Sequence, residues 1–213
     1  MSEVVSIEYD GADVARAALE ECIASGGVAI FPADGLYGLA CDPLDPDAIA
    51  RIHRIKGRDE GKSSAVLYFS PLAMREMVES LGPRTRAAAS RLLPGPVTLV
   101  VANPGHRYPL ACREDPDRLG LRLIGGPLSG AACPLFQTSA NLSGEPAPAS
   151  FAEIPEAVVG AADLAIDGGE LTGLPSTVVE LTSFDATGGW AVLRQGGMAH
   201  GDLVAILGGL TSR

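Results

Sequence analysis

The chain has 213 residues, 46% hydrophobic and 20% charged, with 26 acidic against 16 basic residues and a net charge of −10. That apolar fraction excludes wholesale disorder, and no apolar run approaches the ~20 residues of a membrane span. A chain this acidic is a poor match for wrapping a phosphate backbone by bulk electrostatics.

Residues Val4 to Tyr9 alternate as a strand, and Ala12 to Ala24 carry apolar residues at helical spacing up to Gly26-Gly27. Val28 to Phe31 form a short buried strand closed by Pro32. The turn Ala33-Asp34-Gly35 then opens into Leu36–Cys41. Asp45 and Pro46 read as N-cap and first residue of a helix whose apolar positions are Ile49, Ile52 and Ile55, ended by Gly57. Ala65–Phe69 is a strand, and Pro71–Leu81 and Pro83–Leu93 are two helices. Val97–Ala102, β-branched after Pro94-Gly95-Pro96, reads as a central strand. Leu119–Ile124 and Leu135–Ser139 are further strands, followed by a Gly/Pro/Ser-rich loop and a helix predicted over Phe151–Val159. Strands at Leu164–Asp167, Thr177–Leu181 and Trp190–Leu193 precede a terminal helix, Asp202 to Leu207. Strands and helices mix without strict alternation, so the expectation is one α/β domain over residues 1–213, with a mixed sheet flanked by helices.

The first ten residues contain acids and neither a basic nor a long apolar segment, so no signal peptide is expected. Four scattered cysteines (Cys22, Cys41, Cys112 and Cys133) without a CxxC read as reduced thiols of a cytoplasmic protein. There is no GxSxG elbow, no P-loop, no GxGxxG after a strand and no metal-ligand spacing, and His53, His106 and His200 stand alone. One basic island breaks the acidic chain. Arg51, Arg54, Lys56, Arg58 and Lys62 stand against only Asp59 and Glu60. Lys56 and Arg58 flank a helix C-terminus, where a cation either complements the dipole or reaches from the following loop toward an anion. Gln137 to Gly144 and Pro175-Ser176-Thr177 are polar loops at strand ends, suited to close backbone approach to a phosphate or carboxylate and equally to ordinary turns. Arg122 within LGLRLI, and Arg194 in LRQGG, face either a cleft or water. These features imply an anion site for a nucleotide, a sugar phosphate or an RNA phosphate, and select no reaction.

Taken together, the segments PADGLYGLACDPLDPDAIARIHRIKGR, LLPGPVTLVV, LGLRLI, TSANLSGEPAP, STVVEL and LRQGG resemble, in order, the blocks of the YrdC/TsaC family, the threonylcarbamoyl-AMP synthases. The resemblance spans about residues 23–197. It implies a twisted mixed α/β domain with an open concave cleft. It also implies a nucleotidyltransferase that uses ATP with Mg²⁺, bicarbonate and L-threonine to make the donor for the N6-threonylcarbamoyladenosine modification of tRNA, passed on to tRNA-modifying partner proteins. RNA binding would be weak or local, and no membrane is involved. Residue by residue, Lys56 and Arg58 match the family's KxR pair, which holds the triphosphate and stabilises charge at the α-phosphate. Lys62 falls at a further ATP contact, and Asn141 and Arg194 match nucleotide-side residues. Ser139, Arg122 and Ser176 match the amino-acid and carbamate side, with Tyr37 walling the cleft.

Two positions depart from the pattern. Gly35 stands where the family has Thr, and Leu67 where it has His. Both are expected to face one amino-acid pocket, widened and made more apolar, so that threonine is used poorly or other amino acids are accepted. The alternatives to the synthase are a relative that acts on another amino acid or carbamoyl substrate, and a non-catalytic RNA-binding module.

Overall fold

The computed structural model describes residues 2–57 and 63–211. Its elements in chain order are β1 (Glu3–Ser6), α1 (Ala12–Ala24), β2 (Ala29–Pro32), β3 (Tyr37–Cys41), α2 (Pro46–Lys56), β4 (Ala65–Tyr68), α3 (Pro71–Glu79), α4 (Pro83–Leu92), β5 (Val97–Ala102), α5 (Pro109–Cys112), β6 (Arg118–Leu123) and β7 (Leu135–Ser139). A 3₁₀ turn (Phe151–Glu153), α6 (Glu156–Ala161), β8 (Leu164–Asp167), β9 (Thr177–Glu180), α7 (Phe184–Thr187), β10 (Ala191–Arg194) and α8 (His200–Thr211) complete it. The strands form one ten-stranded mixed sheet in the order β1-β8-β2-β3-β7-β4-β6-β5-β9-β10. The expected mixed sheet is therefore present, with Val97–Ala102 in its interior between β6 and β9.

Local chemistry explains most boundaries. The Asp45 carboxylate accepts from the amides of Asp47 (2.9 Å) and Ala48 (3.0 Å), and Gly57 ends α2 in the left-handed region at φ 57°. Where the sequence expectation fails, the reason is equally local. The first strand stops at Ser6, because the chain turns back on itself with the Asp10 amide donating to the Ser6 carbonyl at 2.8 Å. The helix expected over Phe151–Val159 is broken by Pro155, whose ring disfavours helical geometry in Ile154 before it. The short helices α5 and α7 have too few residues to show a period. The terminal helix begins earlier than expected and runs past Gly208-Gly209, with Leu203 and Leu207 buried as it packs against α4.

Strand alternation sends successive side chains to opposite faces of the sheet. Val66, Leu99, Leu121 and Phe136 join one core under α2, α3, α4 and α8. Ala29, Phe31, Leu67 and Leu135 join a second core under α1. That second core runs across the sheet from β1 as far as Leu67 of β4. Among the described residues no helix covers the same face over β5, β6 and β9, and there the cleft opens. Among the described residues, no helix is long and apolar enough to cross a membrane.

Candidate functional site

The uncovered face is the floor of a cleft of about 900 Å³. Alternate residues of the strands point into it: Ala65 from β4, Gly120 and Arg122 from β6, Thr98 from β5, and Gln137 and Ser139 from β7. Small residues keep the middle of this floor low. A Cβ at Gly120 would meet the Ala65 Cα and Cβ at 3.3 Å.

Among the described residues, three arginines line the cleft, and their company differs. Arg122 is 6% exposed and is paired with Asp34, Nη2 to Oδ2 at 2.6 Å, while Nη1 donates to the Gln137 Oε1 at 2.9 Å. Its Nε has no hydrogen-bond partner among the described residues. Burial raises the Asp34 pKa above the usual carboxylate value, against the pull of Arg122, and the same burial lowers that of Arg122. Arg118 is held by Asp115 at 3.5 Å and by Glu180. Arg194 makes no ion pair among the described residues. It donates through Nη2 and Nε to the Ser176 carbonyl (2.9 and 3.3 Å) and through Nη2 to the Ser176 Oγ (3.2 Å). Ser176, in turn, is hydrogen-bonded to the Thr98 hydroxyl at 2.8 Å. The sequence reading put Ser176 on an amino-acid side and Arg194 on a nucleotide side; here they touch.

Lys56 does not project toward the open cleft as expected. Only 4% exposed, its ammonium donates to the backbone carbonyls of Ser139 and Asn141 (2.6 Å for the latter) and to the Asn141 Oδ1 (3.1 Å). Asn141 donates onward to the carbonyls of Leu142 (2.9 Å) and Glu145 (2.7 Å), and the Ser139 hydroxyl donates to the Asn141 Oδ1. Lys56 and Asn141 thus lock the loop that presents Ser139 to the cleft. Arg58 and Lys62 lie outside the described residues.

Tyr37 lies against the cleft but is fully buried. Its hydroxyl donates to the Gly169 carbonyl at 2.7 Å and accepts from the Gly168 amide at 2.9 Å. Desolvation pushes the phenol pKa up to about 12, so this pin stays neutral. It fixes the start of a strap, residues 168–175, that runs along the cleft mouth. The Gly173 amide of the strap donates to the Gly35 carbonyl at 2.9 Å.

The two departures in sequence do not build one wider pocket. A Cβ on Gly35 would lie 2.1 Å from the Leu174 carbonyl oxygen and 2.6 Å from the Thr172 hydroxyl, so the strap fills the space that a side chain would take. Leu67 is fully buried in the core under α1 and does not line the cleft. It is the strand partner of Arg122 in the β4–β6 register, but it lies where the face is covered. Sequence reasoning passed over Thr98, Arg118 and the acid Asp34 as site residues, and took Gln137 only as the start of a polar loop. For Thr98 a signal existed: a hydroxyl interrupts an aliphatic strand on the face opposite Val97, Leu99 and Val101, as Arg122 interrupts LGLRLI.

The mixed sheet and the cleft floor lined by arginines and hydroxyls define an α/β protein with an open polar cleft. The Sua5/YciO/YrdC family model, described as telomere recombination, matches residues 21–196, and the chain belongs to that family. A Thiobacillus denitrificans protein named threonylcarbamoyl-AMP synthase is 33% identical over 175 residues, covering 79% of this chain and 92% of that protein. A Pyrococcus abyssi protein of the same name is 30% identical over 195 residues; the match covers 87% of this chain but only 55% of the longer relative. Among solved structures, P. abyssi Sua5 complexed with L-threonine superposes with a TM-score of 0.81 at 27% identity, over 98% of this chain and 61% of that one. E. coli YciO gives 0.79 at 25% identity, over 97% of this chain and all of that one.

Proposed function

We propose that the chain is a threonylcarbamoyl-AMP synthase, a nucleotidyltransferase that joins L-threonine, bicarbonate and ATP. The observation that carries this reading is the match to the Thiobacillus synthase over 92% of its length, combined with a cleft floor that sets cationic and hydroxyl donors side by side. In this reading the neutral threonine amine attacks the carbon of bicarbonate, or of carbon dioxide formed from it, and an N-carboxylate forms with net loss of one water. A carboxylate oxygen then attacks the α-phosphorus of ATP, and the bond to the bridging oxygen of pyrophosphate breaks. No side chain becomes a covalent intermediate. The protein contributes position and charge.

Arg122 receives the amino-acid carboxylate and must first loosen its bond to Asp34. Arg194 and Ser176 hold oxyanion charge at the other end of the floor. Lys56 and Asn141 act through the loop they lock, holding Ser139 toward the reacting groups, and Arg58 and Lys62 complete the nucleotide contacts. Mg²⁺ would neutralise phosphate charge when bound. The described residues contain no group of three His, Cys, Asp or Glu arranged for a metal, and Asp34 and Asp115 are engaged by arginines, so this donor set fits an ion that arrives on the nucleotide. We place the reaction in the cytoplasm, where the four free cysteines stay reduced, and its product goes to tRNA-modifying proteins.

The test is pyrophosphate release by the purified chain with ATP, bicarbonate and a panel of amino acids. Release that requires both bicarbonate and threonine supports the reading. Release with another amino acid in preference to threonine moves it to a relative with a different substrate, and tight, selective tRNA binding without turnover replaces it with an RNA-binding module.

A further inference from the structure

Four neighbouring strands bring polar side chains to the cleft: Arg118 and Arg122 on β6, Thr98 on β5, Ser176 at the foot of β9 and Arg194 on β10. Thr98 has no role in the reading above. It is 8% exposed, its neighbours Val97 and Leu99 point into the opposite core, and its hydroxyl meets the Ser176 hydroxyl at 2.8 Å.

A count of protons gives the pair a purpose. Each hydroxyl holds one proton and two lone pairs. One proton makes the bond between them, and the Arg194 guanidinium donates to the Ser176 oxygen from the other side. One hydroxyl proton is therefore left over. Among the described residues, no carbonyl or carboxylate accepts it, and both hydroxyls line the cleft. If Ser176 donates to Thr98, then Thr98 presents the spare proton; in the reverse arrangement Ser176 does. In both cases the donor is polarised by the chain of hydrogen bonds behind it. Beside it stands the one cleft arginine that, among the described residues, has no acidic partner.

We infer that Thr98, Ser176 and Arg194 act as a single oxyanion-binding unit, in which Thr98 either donates to the ligand or orients the serine that does. The inference deepens the synthase reading and rests on it for the ligand's identity. The oxyanion is the amino-acid carboxylate or a phosphate of the nucleotide, two sources of the same chemistry. Thr98 is a specificity-determining residue because a site that spends a fixed hydroxyl donor on an oxygen discriminates against ligands that lack one there.

The experiment is calorimetric binding of inorganic pyrophosphate and, separately, of L-threonine to the full chain and to Thr98→Val, Thr98→Ser, Ser176→Ala and the Thr98→Val/Ser176→Ala double variant, each checked for an unchanged melting transition. For one of the two anions, each single loss is expected to weaken binding about tenfold, and the double about as much as either single, because the residues work through one bond. Thr98→Ser should keep affinity within about twofold. The anion that responds identifies the source. Should Thr98→Val unfold, Thr98→Cys keeps the volume with a weaker donor and is expected to fall between parent and Ser176→Ala.

Undiminished binding of both anions by Thr98→Val overturns the unit. So do a Thr98→Ser variant as impaired as Thr98→Val, additive losses in the double variant, and failure of the parent to bind either anion. The failures are separable. Anion binding through the unit without threonine-dependent pyrophosphate release sinks the synthase reading alone. Normal release and binding by Thr98→Val sinks the unit alone.

Discussion

Arg122 and Arg194 stand on the floor of one cleft, and the protein treats them in opposite ways. Arg122 is buried and neutralised by Asp34 at 2.6 Å, with Gln137 holding its other nitrogen. Among the described residues, Arg194 donates only to the Ser176 carbonyl and hydroxyl. A carboxylate next to an arginine competes with any ligand anion for it, so the Arg122 end must exchange one ion pair for another. The Arg194 end is ready at once. Under the function proposed above, the first end would supply selectivity, because a ligand must outbid an internal carboxylate, and the second would supply charge stabilisation without prior rearrangement.

The largest expected effect breaks the first end. Arg122→Met leaves the Asp34 carboxylate buried without a counter-charge, which typically costs about 3 kcal/mol or more. For a chain of this size that lowers the melting temperature by roughly 6–12 °C in a calorimetric scan. Arg194→Ala, by contrast, should leave the melting temperature close to that of the parent, because no internal ion pair is lost. It should reduce kcat/KM for pyrophosphate release about 100-fold, the scale of removing one preorganised donor from a charged transition state. A large fall in stability with Arg194→Ala, or none with Arg122→Met, would reverse the assignment of the two ends.

A smaller effect concerns the strap beside Asp34. Gly35→Thr places side-chain atoms where the Leu174 carbonyl now lies, so the strap must move. Overpacking of this kind costs about 1–3 kcal/mol. The expected outcome is a raised KM for threonine with a modest loss of stability, not improved threonine use. Improved use would mean that the strap yields freely and the amino-acid pocket is wider than the Gly35–Leu174 contact allows.

The smallest effect is in pH. Burial raises the pKa of Asp34, so its carboxylate takes up a proton at a higher pH than an exposed aspartate does. As pH falls toward that raised value, Asp34 loses charge and releases Arg122, while the threonine carboxylate stays ionised. Threonine affinity should therefore rise by about two- to threefold between pH 7 and 5 in titration calorimetry. The Asp34→Asn variant should show no such rise. A fall in affinity with acidification would contradict competition by Asp34.

Sequence patterns reached some of this and not the rest for a definite reason. Helix α2 was legible because Asp45, Pro46 and Gly57 each act within a single turn of chain. Arg122 was legible as a charge interrupting an apolar strand, and Ser176 and Arg194 as polar residues at strand ends. What alternation cannot tell is whether a face is covered. Leu67 and Arg122 are register partners on the same face, yet one lies under α1 and its neighbours and the other lines the cleft. The filling of the Gly35 space by Leu174 joins residues 139 positions apart, and no local pattern carries it. Lys56 shows the same limit: a cation at a helix end looked free for a ligand, but three oxygens of the Ser139–Asn141 loop surround its ammonium.

The most direct test of the account is mass-spectrometric detection of the product from ATP, ¹³C-bicarbonate and L-threonine, for the parent chain beside Arg194→Ala. The account predicts labelled threonylcarbamoyl-AMP and equal pyrophosphate from the parent, dependent on all three substrates, and roughly 100-fold less from the variant. Pyrophosphate release that ignores threonine or bicarbonate, or a variant that makes the labelled product as fast as the parent, would contradict it.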